Sequence, residues 1–195
     1  LLNVMLEIIQ QIDKQLFFAI NNGMQNGLLD LLCPFMRKQS NWYLLYAVMG
    51  YFLYERYRIK FLWILFGTAL LVLISDQLSA NLIKNMVQRL RPCNNPELKN
   101  QLRLLVPCGG GFSFISAHAT NHFAIAFFIS SFYNEIKWAK PVGLLWAFVI
   151  AFSQVYVGVH YPLDIICGSA LGLVLGYTGF NLINKKISFT IHTAA

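Results

Sequence analysis

Phe61-Leu62-Trp63-Ile64-Leu65-Phe66-Gly67-Thr68-Ala69-Leu70-Leu71-Val72-Leu73-Ile74-Ser75 carries no charge and no proline. A helix rises 1.5 Å per residue, so about 20 mostly apolar residues cross a hydrocarbon core of about 30 Å. Extended outward from Ile59 to Lys84, with Lys60 and Asp76 as its only charges before that end, the run reaches that length. Four further segments read the same way: about Asn41 to Tyr54, His118 to Tyr133, Pro141 to Gly158, and Pro162 to Ile183. Trp42, Tyr43, Tyr54, Tyr57 and Trp138 fall near the ends of these segments, where interfacial aromatics collect.

The whole chain agrees with that local reading. It is 57% hydrophobic and 12% charged, against about 45–50% and about 25% for a soluble domain. The expected fold is therefore an all-α integral membrane bundle of five or six transmembrane helices around a site at one membrane face. The formal charge of +7 points to anionic lipid rather than nucleic acid, because no aqueous recognition fold accompanies it. One domain is expected over 1–195, with 1–36 interfacial or re-entrant, 37–184 the bundle and 185–195 a tail. Leu1-Leu2-Asn3-Val4 has neither a basic start nor a small-residue cleavage site, so no cleavable leader is expected.

Leu2, Met5, Leu6, Ile9, Ile12 and Leu16 recur at helical spacing, with Glu7, Gln11, Asp13 and Lys14 between them. Such a helix lies in the membrane interface. Residues 16–36 are apolar but broken by Asn21-Asn22-Gly23 and Asn26-Gly27. They read as a surface or re-entrant element, with a sixth span as the alternative. Arg56, Arg58, Lys60, Lys137, Lys140, Lys185 and Lys186 all fall on one side of the five-span topology, which assigns that side to the cytoplasm. Cys93 and Cys108 bracket the polar loop on the other side. They are a plausible disulfide if that loop meets an oxidising compartment, and closing such a loop stabilises by roughly 3 kcal/mol. Cys33 and Cys167 read as buried small hydrophobes.

Three polar clusters sit at span ends on that same side. Lys84 and Arg91-Pro92 form the first. Seven residues is close to two turns, so both cations share a face if the helix continues. Arginine grips two phosphate oxygens at once and lysine adds a point charge. Arg89 and Arg103 read as anchors or headgroup contacts. The second cluster, Gly109-Gly110-Gly111 through Ser116-Ala117-His118 to His122, offers a glycine-rich approach and a helix start capped by Ser116. Backbone N–H groups there suit an anion, with His118 above it. His122 reads as a packing residue, and no third ligand for a metal is evident. The third cluster is His160 with Asp164 in the first turn after Pro162. The carboxylate accepts one ring N–H and frees the other nitrogen.

Together these residues resemble the type-2 phosphatidic-acid phosphatase superfamily. Its motifs are Lys, six residues, Arg-Pro; then Pro-Ser-Gly-His; then Ser-Arg, five residues, His, three residues, Asp. Here they read Lys84 through Arg91-Pro92, Ile115-Ser116-Ala117-His118, and Ser153-Gln154 through His160 and Asp164. The resemblance implies metal-independent hydrolysis of a membrane lipid phosphate through a phosphohistidine, with no cofactor. His160 would be the nucleophile, Asp164 its orienting acid and His118 the proton donor and acceptor. Lys84, Arg91, Ser116, Ala117 and Gln154 would hold the phosphate oxygens. Three positions depart from the pattern: Ile115 for Pro, Ala117 for Gly, and Gln154 for a phosphate-binding Arg. The last loses a charge, which Arg89 or Arg103 is expected to replace unless turnover is weak. A weakly active or non-catalytic binder of lipid phosphate is the reading from another class. Undecaprenyl diphosphate is the expected substrate, with lipid A phosphate or phosphatidylglycerophosphate as alternatives. The expected location is the bacterial inner membrane with the site facing outward. Gly168, Gly172 and Gly176 at four-residue spacing let another helix approach. The need to pack five spans around one site favours the bundle interior over a dimer. The oligomeric state is not legible.

Overall fold

The computed structural model describes residues 2–192, and side chains from Val4 to Ser188. All regular structure among the described residues is helical: α1 (Leu2–Asn21), α2 (Gly27–Arg37), α3 (Tyr43–Tyr57), α4 (Phe61–Asp76), α5 (Lys84–Val87), α6 (Ala117–Ser130), α7 (Ala139–Tyr156) and α8 (Pro162–His192). A π-helical stretch, Gln77–Ile83, joins α4 to α5 without a break.

Among the described residues, three segments are long and apolar enough to cross a membrane: Gln39–Asn94, Ala139–Tyr156 and Pro162–Ser188. The first divides in two at Arg58, whose φ of 50° ends α3 and turns the chain into α4. A residue other than glycine at positive φ is uncommon, and here it marks a tight inter-helix turn. The five expected segments thus map onto α3, α4 with its continuation, α6, α7 and α8. Residues 16–36, expected as a surface or re-entrant element or a sixth span, are divided between two helices and the turn that joins them. Their first part completes α1, and Asn26 caps the 11-residue α2 through a bond from Leu29 N–H. Eleven residues of helix extend about 17 Å, roughly half a crossing. The expected tail differs, because α8 runs on to His192. Residues 193–195 of that tail lie outside the described residues.

The bundle is built around α6, which packs on α8, α7 and α4. One core joins Leu53, Ile64, Leu71, Phe128, Phe132 and Ile183 at the end remote from the polar clusters. A second joins Phe17, Ala119, Ala151, Val155, Tyr161 and Ile165 beneath them. Outward residues such as Leu62, Leu65, Phe66, Leu145, Phe148 and Val174 are exposed and apolar, as lipid-facing positions require. The exposed side of α1 carries Met5, Ile8, Ile9, Ile12 and Leu16, an apolar face turned away from the bundle.

Gly168, Gly172 and Gly176 face inward. A Cβ at Gly168 would lie 2.8 Å from the Ser116 carbonyl oxygen, one at Gly176 would lie 2.6 Å from that of Ala124, and one at Gly172 would strike Thr120 O. The stripe therefore seats α8 on the backbone of α6, inside the bundle. Cys93 and Cys108 are disulfide-bonded across the polar loop. Cys33 is buried, whereas Cys167 is partly exposed.

Candidate active site

The site is assembled at the ends of α5, α6, α7 and α8. Gly158, at φ 90°, reverses the chain after α7; a Cβ there would lie 2.8 Å from the Arg103 carbonyl oxygen. This turn lets Gln154 O accept from both Val159 N–H (3.1 Å) and His160 N–H (3.2 Å), which fixes the loop. Asp164 sits in the first turn of α8. Its Oδ2 accepts from Tyr161 N–H at 2.9 Å and lies 3.2 Å from His160 Nδ1. His160 and Asp164 are both buried. Nε2 of His160 lies 3.2 Å from Arg91 NH1. Burial outweighs the carboxylate and pushes the His160 imidazole down to about 4. The ring is neutral at pH 7, with Nδ1–H donated to Asp164 and the lone pair on Nε2.

Lys84 and Arg91 both act electrostatically on His160 and on each other. They meet by a route other than the shared helix face. Gln88, at φ 51°, ends the helix with its N–H bonded to Lys84 O, and Arg91 is extended. The chain then turns at Pro92, and the disulfide at Cys93 ties it to the glycine-rich loop. Gly109 packs beside the Arg91 guanidinium, where a Cβ would sit 3.7 Å from Cζ.

Ser116 caps α6, its Oγ accepting from Ala119 N–H at 3.4 Å. Its own N–H donates to Asp164 O at 3.1 Å. The Ser116 hydroxyl is therefore engaged within α6, and its N–H joins α6 to α8. The N–H groups of Ala117 and His118 remain as the first of the helix, with no carbonyl one turn back inside it. His118 lies within electrostatic reach of His160, Arg37 and Lys84. His122 stacks on His118 at 6.2 Å and 8°, donates its Nδ1–H to His118 O at 2.8 Å, accepts from Tyr46 OH at 3.4 Å through Nε2, and packs on Trp146.

Arg89 and Arg103 correct the sequence reading, because neither is a free anchor or a substitute cation at Gln154. Arg89 donates to Asp164 Oδ1 (2.8 Å) and to Asp13 Oδ2 (2.5 Å), with its guanidinium 3.8 Å above the Tyr161 ring. Asp13 also accepts from Leu163 N–H at 2.8 Å, so α1 caps α8. Arg103 donates to Asp30 at 2.7 Å. Bonds from Tyr156 OH and Arg103 hold the Asp30 carboxyl below its usual range.

Sequence reasoning missed Asp13, Arg89 and Arg37 as parts of this assembly. Asp13 carried a faint signal as an acid within an amphipathic helix. Arg37 carried none, because its partner Gln154 is 117 residues away.

A buried His–Asp pair thus stands beside two cations and an open helix start at one end of the helical bundle. The PAP2 superfamily model matches residues 60–188. The chain is 32% identical over 174 residues to a lipid A 4'-phosphatase of Porphyromonas gingivalis, covering 88% of this chain and 73% of that one. It is 31% identical to a lipid A 4'-phosphatase of Bacteroides thetaiotaomicron, covering 93% and 81%. An undecaprenyl-diphosphatase of Sulfolobus acidocaldarius is 36% identical over 46% of this chain and 41% of its own. The crystal structure of Aquifex aeolicus LpxE superposes with a TM-score of 0.65 at 26% identity, covering 86% of this chain and 93% of that one. A transmembrane phosphatidylglycerolphosphate phosphatase of Bacillus subtilis shares the fold at a TM-score of 0.71, 22% identity, and coverage of 91% and 87%. The chain belongs to the PAP2 superfamily and is a membrane lipid phosphatase.

Proposed function

We propose that this enzyme removes a phosphate monoester from lipid A, on the outer face of the bacterial inner membrane. This replaces undecaprenyl diphosphate as the first choice. The observation that carries it is coverage: lipid A 4'-phosphatases align with 88% and 93% of the chain, whereas the undecaprenyl-diphosphatase from Sulfolobus acidocaldarius aligns with 46%. The site's position at helix ends fits a headgroup, and the basic residues at the opposite end fit a cytoplasmic side. An apolar cleft of about 320 Å³ between α3, α4 and α6 includes Tyr46, which also contacts His122, and has room for part of an acyl chain.

In this reading His160 Nε2 attacks phosphorus and the bond from phosphorus to the lipid oxygen breaks. His118, protonated as the charge of the arriving phosphate anion favours its imidazolium, gives that oxygen a proton. Asp164 stabilises the imidazolium, and Arg89 and Asp13 keep Asp164 in place. Arg91 transfers its hydrogen bond from Nε2 to a phosphate oxygen as the substrate arrives. Lys84 and the N–H groups of Ala117 and His118 hold the remaining charge, which is usually the largest source of rate. Water then attacks the phosphohistidine, His118 takes its proton, and inorganic phosphate leaves.

The test is a side-by-side assay of lipid A, undecaprenyl diphosphate and phosphatidylglycerophosphate with detergent-solubilised protein and no added metal. Lipid A should lose one phosphate with the highest kcat/KM, and His160→Ala should abolish release. Faster turnover of the diphosphate would restore the other assignment, and an active His160→Ala would overturn the mechanism.

A further inference from the structure

Gln154 lies fully buried in the last turn of α7. Its Oε1 accepts from Nε of Arg37 at 3.3 Å, and its Nε2 has no hydrogen-bond partner among the described residues. Arg37 is the last residue of α2 and half-buried. A guanidinium bound through Nε keeps both terminal nitrogens for another acceptor. Arg37 lies within electrostatic reach of Arg91 and of His118, and Arg91 within reach of Lys84.

Among the described residues, none of Arg37, Lys84 and Arg91 has a carboxylate at salt-bridge distance. The nearby acids are engaged elsewhere: Asp164 and Asp13 with Arg89, Asp30 with Arg103, and Asp76, which also acts on Lys84 from beyond salt-bridge distance, with the side-chain amide of Asn121. Three like charges gathered partly out of water repel one another, and an anion among them removes that repulsion. The buried Nε of Arg91 is also unpartnered. Two orphaned donors and three unpaired cations thus border one place.

We infer that Arg37 is a third cation of this site, its terminal nitrogens gripping an oxygen of the bound phosphoryl group, and that Gln154 is the positioning residue that holds it through Nε. The inference rests on the phosphatase reading of the site. It gives the charge absent from position 154 a source on another helix. It also gives the N-terminal segment a part in the chemistry. The guanidinium arrives from α2 rather than from α7, and α2 is held in place by its own contacts with α7, including the bond from Tyr156 OH to Asp30 at 2.6 Å.

The experiment compares Arg37→Gln, Arg37→Lys and the exchange variant Arg37→Gln with Gln154→Arg, as purified full chain in detergent. Two quantities are read: kcat/KM on the lipid phosphate the wild type hydrolyses fastest, and the affinity for inorganic phosphate from its thermal shift. Losing one charged hydrogen bond to phosphate should lower both by about 10- to 100-fold in Arg37→Gln. Arg37→Lys should recover part of the loss, since it returns the charge but not the fork. The exchange variant should recover at least about tenfold, because the guanidinium again reaches the phosphate. Wild-type phosphate affinity in Arg37→Gln would overturn the inference, and so would an exchange variant no better than the single one. Failure of the underlying mechanism looks different: His160→Ala would stay active while the Arg37 variants still lost phosphate affinity.

Discussion

His160 shows how one buried residue is prepared by a chain of others. Asp164 accepts its Nδ1–H, Arg89 donates to Asp164, and Asp13 accepts from Arg89. An unperturbed histidine titrates near 6.5, whereas this one is pushed down to about 4. The proposed nucleophile is therefore already neutral in mild acid. The acid limb of kcat/KM, corrected for ionisation of the substrate, should fall near pH 4 rather than near pH 6.5. An acid limb centred on 6.5 would show that the carboxylate outweighs burial. The sign for stability follows from the same displacement. Between about pH 4 and 6.5 the folded state binds fewer protons than the unfolded chain. This group's contribution is complete above 6.5 and declines as the pH falls through that window. The sequence marked His160 and Asp164 by their spacing of four, which is one helical turn. It had no means of marking Arg89 or Asp13, because a charge in a basic loop and an acid on an amphipathic helix reveal nothing of a partner 76 residues away.

At the scale of elements, the α6–α8 pair sets where His118 stands relative to His160 and Asp164. Ser116 N–H bonds to Asp164 O, and the glycine stripe brings the two backbones together below it. Gly172→Ala tests this directly. Alanine is the better helix former by about 1 kcal/mol, so on an exposed face the change would stabilise. Here the added methyl meets the Thr120 carbonyl and the Phe123 Cβ. Overpacking against backbone typically costs about 1–3 kcal/mol. The thermal midpoint in detergent should fall, with kcat falling further as α6 and α8 separate. An unchanged midpoint would mean the helices part without penalty. The four-residue spacing made the stripe visible in the sequence, but it fits a dimer seam equally well. Only the identity of the opposing helix decided between them. The end of α5 shows the opposite case. The spacing of Lys84 and Arg91 suggested one continuous face, yet Gln88 breaks the helix and the two cations approach from different directions.

For the whole molecule, the disulfide and the N-terminal helices act together as a frame around the end of the bundle where the polar clusters meet. The loop between Cys93 and Cys108 spans 15 residues of sequence, and closing a loop of that size contributes about 3 kcal/mol in the chain-entropy view. Cys93→Ser with Cys108→Ser should lower the thermal midpoint in detergent by several degrees. It should also slow turnover, because Gly109 and Arg91 are held side by side by that closure. An unchanged midpoint would mean that Asn21, which bonds Arg103 O at 2.8 Å and Tyr156 O at 2.7 Å, secures the loop alone. The sequence by itself determined the helical membrane class, the ends at which polar residues collect, and the residues that carry the family's motifs. Those follow from local composition and from spacings shorter than a few turns, because a hydrocarbon solvent leaves the backbone little choice but helix. The tertiary structure alone decided that Arg89 and Arg103 are paired, that Arg37 stands beside Gln154, and that α1 caps α8. Each is a contact between residues more than 70 positions apart, and no periodicity of a chain records which distant side chains its packing will bring together.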